Sequence, residues 1–220
     1  MSLEETLSRT DFFADAEPVA LGALAAAGRE QHLIRGDVLF HEGDPPEALY
    51  LVQRGRLAIA LANPLDRRES VIALMEVGDL FGEMGMLDGG ARSAMARALE
   101  PTTVLSIPYP PILEMFEQQP RLLWNVTRLL AQRIRVTDEA LADSVFLDVT
   151  GRTAKRLLEL ADGEDSFTLP VTQEELAGMV GASRERVNKA IASFIRLGWL
   201  EQEERSYRII QRDRLELRAR

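Results

Sequence analysis

The hydrophobic period of this 220-residue chain changes once, and that change limits what it can fold into. Between residues 31 and 107 the apolar residues come in short runs: His32-Leu33-Ile34, Val38-Leu39-Phe40, 49–52, 56–60, 70–74 and 104–107. Turn signals separate them: Arg35-Gly36-Asp37, Glu42-Gly43-Asp44-Pro45-Pro46, Arg54-Gly55, Asn63-Pro64 and Gly78-Asp79. These residue types supply the φ angles and local hydrogen bonds that reverse a chain. Many short strands at even spacing predict a sandwich or small barrel.

Past Pro110-Pro111 the pattern turns helical. One helix is expected over 112–119 and a long one over 121–144, opened by Pro120. The long helix carries Leu123, Thr127, Leu130, Ile134, Thr137, Leu141 and Ser144 at alternating steps of four and three, a coiled-coil seam. The competing reading is one face of an ordinary globular helix. The narrow stripe, flanked by Arg128, Arg133, Arg135, Asp138 and Glu139, favours a dimer helix, although Thr127, Thr137 and Ser144 interrupt it. Residues 3–13 and 19–27 read as short entry helices, with Pro18 in a first turn and Gly28 as a stop.

Composition removes several function classes. With no cysteine, disulfides, thiolate zinc sites and cysteine-ligated clusters are excluded. Two isolated histidines, His32 and His41, are too few for a metal-dependent barrel enzyme, so neither an enzyme nor a cofactor is expected. No apolar run approaches 18 residues, and 1–15 lacks a signal-peptide pattern, so no membrane association and a cytoplasmic location are expected. The net charge of −9 is unevenly spread: residues 1–150 carry 13 basic and 23 acidic side chains, residues 151–220 carry 13 and 12. The C-terminal part thus stands at +1 and can present a local basic face to DNA.

Two stretches carry chemistry. The first, 81–98, reads Phe-Gly-Glu-Met-Gly-Met-Leu-Asp-Gly-Gly-Ala-Arg-Ser-Ala-Met-Ala-Arg-Ala. Gly82 and Gly85 permit close backbone approach and leave main-chain N–H groups for an anion. Arg92 offers a guanidinium to phosphate and Ser93 a neutral hydroxyl, with Met84 beside them. Glu83 would repel phosphate, so its acceptor oxygens suit a pair of sugar hydroxyls. The bland alternative is a glycine-rich hairpin. The joined Phe-Gly-Glu, Gly and Arg-Ser pattern is similar to the phosphate-binding cassette of the cyclic-AMP receptor (Crp/Fnr) family, which implies a double-stranded β-helix jelly roll around the ligand.

The second stretch, 171–197, has the marks of a helix-turn-helix. Thr172 and Glu175 form a capping box, Gly181 permits the turn, and Ser183 caps the next helix. Val187, Ala190, Ile191 and Phe194 share the core face, leaving Arg184, Glu185, Asn188 and Lys189 exposed. Arg can pair with guanine and a carboxylate can accept from cytosine, while Thr172, Gln173 and Ser183 suit phosphate contacts. The segment resembles the same family's recognition helix, with Lys189 standing where the family has arginine and losing its fork. Residues 199–201 and 207–210 read as a wing hairpin, and 213–220 as a basic tail with a short helix.

The resemblance continues through Arg-Ile-Arg-Val-Thr-Asp-Glu, which is similar to the segment that reaches the adenine ring, and Phe-Leu-Asp-Val-Thr-Gly-Arg, similar to the interdomain segment. Thr137 and Asp138 fall where the family places a threonine and a serine, so the carboxylate of Asp138 can accept from an amino group but not donate. The expected architecture is α+β: a ligand barrel with flanking helices over 1–120, a dimerisation helix and hinge over 121–147, and a winged helix-turn-helix over 148–220. The resemblance implies a homodimeric regulator responding to cyclic AMP or cyclic GMP, binding a palindromic duplex and engaging RNA polymerase. The alternatives are a relative that binds DNA without nucleotide or with another ligand, and a nucleotide module governing an enzyme.

Overall fold

The structure is a computed structural model describing residues 3–62 and 69–220; the Asn63-Pro64 turn signal lies outside the described residues. The chain forms two compact units, Met1–Leu61 with Ala73–Arg135, and Ala62–Ile72 with Val136–Arg220.

The first unit opens with α1 (Leu3–Ser8), a 3-10 turn (Asp11–Phe13) and α2 (Pro18–Ala27). The expected single helix over 3–13 is therefore broken, with Thr10 extended between its halves. Strands then build two sheets. One has the order β1 (Arg29–Leu33), β8 (Thr102–Pro108), β3 (Ala48–Arg54), β6 (Leu80–Phe81). The other has the order β2 (Val38–Phe40), β7 (Met95–Ala98), β4 (Leu57–Ala62), β5 (Glu69–Met75). Two of these strands, β6 and β7, were not expected from the sequence.

Strand β3 shows how the core is divided. Successive side chains of a strand point to opposite faces. Leu49 and Leu51 face Leu7, Phe12, Phe13 and Leu24 of the entry segment and Ile112, Met115 and Phe116 of α4 (Tyr109–Gln118). Tyr50 and Val52 face the other way, into a cluster with Leu57, Phe81, Ala96 and Val104. The strand is buried on both faces, which explains its unbroken apolar run. Helix α4 starts three residues earlier than expected. Pro110 and Pro111 sit inside its first turn, where a missing N–H breaks no bond. A 3-10 turn (Pro120–Leu122) leads into α5 (Leu123–Phe146), and the short α3 (Met84–Asp88) lies between β6 and β7.

The second unit contains α6 (Val149–Ala161), β9 (Ser166–Thr168), α7 (Gln173–Val180), α8 (Arg184–Arg196), β10 (Leu200–Glu203), β11 (Ser206–Ile209) and α9 (Arg212–Arg218). Asp148 caps α6 by accepting from the Gly151 N–H at 2.8 Å. Strand β9 pairs with β11 and stacks Phe167 on Tyr207 at 5.6 Å. The C-terminal helix is no free tail: α9 packs on α6 and buries Leu215. No helix among the described residues is long and apolar enough to cross a membrane.

Candidate ligand cassette and nucleic-acid interface

The cassette is built at the junction of β6, α3 and β7. Gly82 has φ +86°, open to glycine at little cost, and a Cβ there would lie 2.7 Å from Arg92 Nη1. Gly85 is equally constrained, since a Cβ would meet Pro46 at 2.4 Å. Arg92 is held at both ends of its backbone, donating to Asp44 O at 2.9 Å and accepting from Gly43 N at 2.8 Å.

The side chain of Arg92 is buried rather than extended toward solvent. Its guanidinium carbon lies 4.3 Å from the ring centre of Phe40 and 5.3 Å from that of Tyr50. Nη1 donates to Gly82 O at 2.9 Å and to Tyr109 Oη at 3.0 Å, and Nη2 donates to Ala48 O at 2.7 Å. Both terminal nitrogens of the guanidinium are thereby engaged. Nε lies buried with no partner among the described residues. Burial pushes the Tyr109 hydroxyl pKa up, with the neighbouring Arg92 acting against it.

Glu83 is fully buried. Its Oε1 accepts from Arg133 of α5, which also donates through Nη2 to Leu80 O at 2.8 Å. Its Oε2 is buried without a hydrogen-bond partner among the described residues. The sequence placed Arg133 only beside the stripe of α5; in the structure its guanidinium reaches back fifty positions to the cassette carboxylate. Met84 and Ser93 are exposed, and Ser93 Oγ donates to Met84 Sδ at 3.5 Å. Thus Gly82, Glu83, Met84, Arg92 and Ser93 come together in the first unit, whereas Thr137 and Asp138 are exposed residues of the second.

Sequence reasoning missed Arg133, Tyr109, Phe40 and Tyr50. The only signal for Tyr109 was a hydroxyl-bearing ring at the strand-to-helix junction, just before the paired prolines.

In the second unit the helix-turn-helix forms as expected. Thr172 Oγ1 accepts from Glu175 N at 3.2 Å, and Thr172 N donates to Glu175 Oε2 at 2.7 Å. Gly181 takes φ +67°, and Ser183 Oγ accepts from Arg186 N at 3.4 Å. A capping hydroxyl accepts its bond, so the hydrogens of Thr172 and Ser183 stay available for donation to phosphate. Gln173 Nε2 donates one hydrogen bond to the wing hydroxyl of Tyr207 at 2.6 Å.

Val187, Ala190, Ile191 and Phe194 are buried, and Arg184, Glu185, Asn188 and Lys189 are exposed on the opposite face of α8. Lys189 Nζ lies 2.7 Å from Glu185 Oε1, one turn apart. That hydrogen bond, with the charge behind it, holds the Glu185 carboxyl below the usual carboxylate range. Along α5, Ile134, Val136, Leu141, Val145 and Phe146 are exposed, the last at 82%. Thr127 returns its hydroxyl to Leu123 O at 2.9 Å, which satisfies a polar group on the seam within its own helix.

Comparison with known proteins places these features. Residues 30–119 match the cyclic nucleotide-binding domain family, and residues 151–219 match the Crp-like helix-turn-helix domain family. A CRP-like cAMP-activated global transcriptional regulator of Mycobacterium tuberculosis (strain H37Rv) is 37% identical, covering 99% of this chain and 100% of the relative. The chain belongs to the Crp/Fnr family. The cAMP-activated global transcriptional regulator CRP of Salmonella typhimurium is another member, 33% identical over 70% of this chain and 76% of its own. Among solved Crp/Fnr-type structures, the catabolite activator protein of Thermus thermophilus is 29% identical, with a TM-score of 0.55, covering 96% of this chain and 98% of that one. FixK2 of Bradyrhizobium japonicum, at 20% identity, shares the fold with a TM-score of 0.78, covering 86% and 96%.

Proposed function

We propose that the chain is a homodimeric transcription regulator that binds a palindromic DNA site in response to a cyclic nucleotide, with cyclic AMP the favoured effector. One observation carries the ligand reading. Glu83 Oε2, an acceptor, and Arg92 Nε, a donor, are both buried and unpartnered among the described residues, on the two arms of one glycine-built junction. Buried polar atoms nearly always have partners. A sugar hydroxyl supplies the donor for Glu83, and a phosphate oxygen the acceptor for Arg92. A ribose phosphate offers both.

In this reading Arg92, Ser93 and the main chain at Gly82 and Met84 hold phosphate, Glu83 holds ribose, and Thr137 and Asp138 meet the base. The ligand part is 1–120, the dimerisation helix and hinge 121–147, and the DNA-binding part 148–220. The exposed apolar residues of α5 are the surface a second copy covers. Arg184, Glu185, Asn188 and Lys189 read bases, while Thr172, Gln173 and Ser183 face phosphates. Two recognition helices in a dimer then address half-sites about 34 Å apart. RNA polymerase is the proposed protein partner and the cytoplasm the proposed compartment.

The test is calorimetric titration with cyclic AMP and cyclic GMP. Saturable binding of cyclic AMP is expected, weaker by at least about tenfold in Arg92→Lys, which keeps the charge but loses the fork, and weaker also in Ser93→Ala. Absence of binding by either nucleotide would overturn the cassette reading.

A further inference from the structure

Tyr109 stands outside the cassette sequence, yet it touches both groups on which the cassette turns. It is the first residue of α4, its N–H donates to Glu47 O at 3.1 Å, and the prolines at 110 and 111 fix the backbone that follows. Its ring is buried. Its hydroxyl donates to Gly82 O at 2.5 Å and accepts from Arg92 Nη1 at 3.0 Å.

Two consequences follow. First, the Gly82 carbonyl takes two donors, Tyr109 Oη and Arg92 Nη1, so it is turned firmly toward α4. A trans peptide is planar with its N–H opposed to its C=O. The Glu83 main-chain N–H therefore points away from α4. Second, Gly82 O and Tyr109 Oη both accept from Arg92 Nη1 on one side and tie that nitrogen to α4, while Phe40 holds the face of the guanidinium. Rotation about the Nε–Cζ end is blocked, and the edge left without a partner is the one that carries Nε. One hydroxyl thus aims a main-chain donor and a side-chain donor at once.

We propose that Tyr109 is a positioning residue for phosphate recognition, setting which phosphate oxygen the protein grips through the Gly82–Glu83 peptide and Arg92. The proposal rests on the cassette reading above and deepens it. It does not place Tyr109 against the ligand.

The experiment compares the wild type with Tyr109→Phe, which keeps the ring and removes only the hydroxyl. Calorimetry is run with cyclic AMP and with its two phosphorothioate diastereomers, which differ in the phosphate oxygen replaced by sulfur. The expected result is about tenfold weaker cyclic AMP binding and a diastereomer affinity ratio that moves from its wild-type value toward one. Ile112→Val, a buried residue of the same helix that carries no hydrogen-bonding group, serves as the folding control; its ratio should not move. Unchanged affinity in Tyr109→Phe, or weaker affinity with an unmoved ratio, overturns the positioning role while the cassette reading stands. Failure of the wild type to bind cyclic AMP or either diastereomer overturns both.

Discussion

Arg133→Ala removes the side-chain partner that Glu83, a carboxylate with no contact with solvent, has among the described residues. Glu83 is 0% exposed and its second oxygen already lacks a hydrogen bond, so the variant leaves both oxygens unsatisfied. It also releases the Leu80 carbonyl from a 2.8 Å bond. Stranding one member of a fully buried ion pair costs about 3–5 kcal/mol. Here the arginine side chain is 35% exposed, so solvent screens that end and water can enter after truncation. A loss of about 2–3 kcal/mol is the appropriate expectation. For a chain of this length each kcal/mol moves the melting point by about 2–4 °C, giving a shift of about 4–12 °C. Differential scanning calorimetry on the wild type, Arg133→Ala and the exposed neighbour Arg135→Ala would read it. The double variant Glu83→Gln/Arg133→Ala should recover at least about half the loss, because a neutral amide is cheaper to bury than an unpaired charge. A melting point for Arg133→Ala within about 1 °C of Arg135→Ala would refute the reasoning.

Further consequences are open to simple assays. The Gly151 N–H, followed by the hydrogen bond from Arg218, lowers the pKa of Asp148 from its ordinary 3.8. A depressed folded value means the stabilisation is full above the unfolded pKa and is lost as pH falls through the lower folded one. Asp148→Asn should therefore melt below the wild type at pH 7, with the gap closing under about pH 3.8; a gap that widens in acid would contradict this sign. Glu185→Ala, in a binding-site selection, should relax base preference within the half-site more than it weakens non-specific binding, and equal loss on all sequences would remove Glu185 from base reading. Leu141→Asp places a charge on the exposed stripe of α5 and should sediment as a monomer where the wild type sediments as a dimer; an unchanged dimer would move the interface elsewhere.

What the sequence disclosed follows the range of the interactions. The Thr172–Glu175 box and Ser183 were legible because a cap is completed within three residues. The core face of α8 was legible because helical spacing alone assigns Val187, Ala190, Ile191 and Phe194. Strand β7 was not. Its sequence, Met-Ala-Arg-Ala, is poor in strand formers, and its inward residues Ala96 and Ala98 are small and fully buried in a crowded interior. The resemblance located Glu83 and Arg92, but neither their burial nor their anchors were local. Arg133 lies 50 positions from Glu83 and Tyr109 lies 17 from Arg92, so only the folded chain brings them together. Gln173 shows the same limit: its hydrogen bond to Tyr207, 34 positions on, has no local signature.

The central claim is that nucleotide binding governs DNA binding. Fluorescence anisotropy of a labelled palindromic duplex, obtained by selection with this protein and titrated with and without saturating cyclic AMP, tests it most directly. The account predicts at least about tenfold tighter specific binding with cyclic AMP, which is about 1.4 kcal/mol of coupling, and loss of that gain in Arg92→Lys. Identical affinity with and without the nucleotide would contradict it.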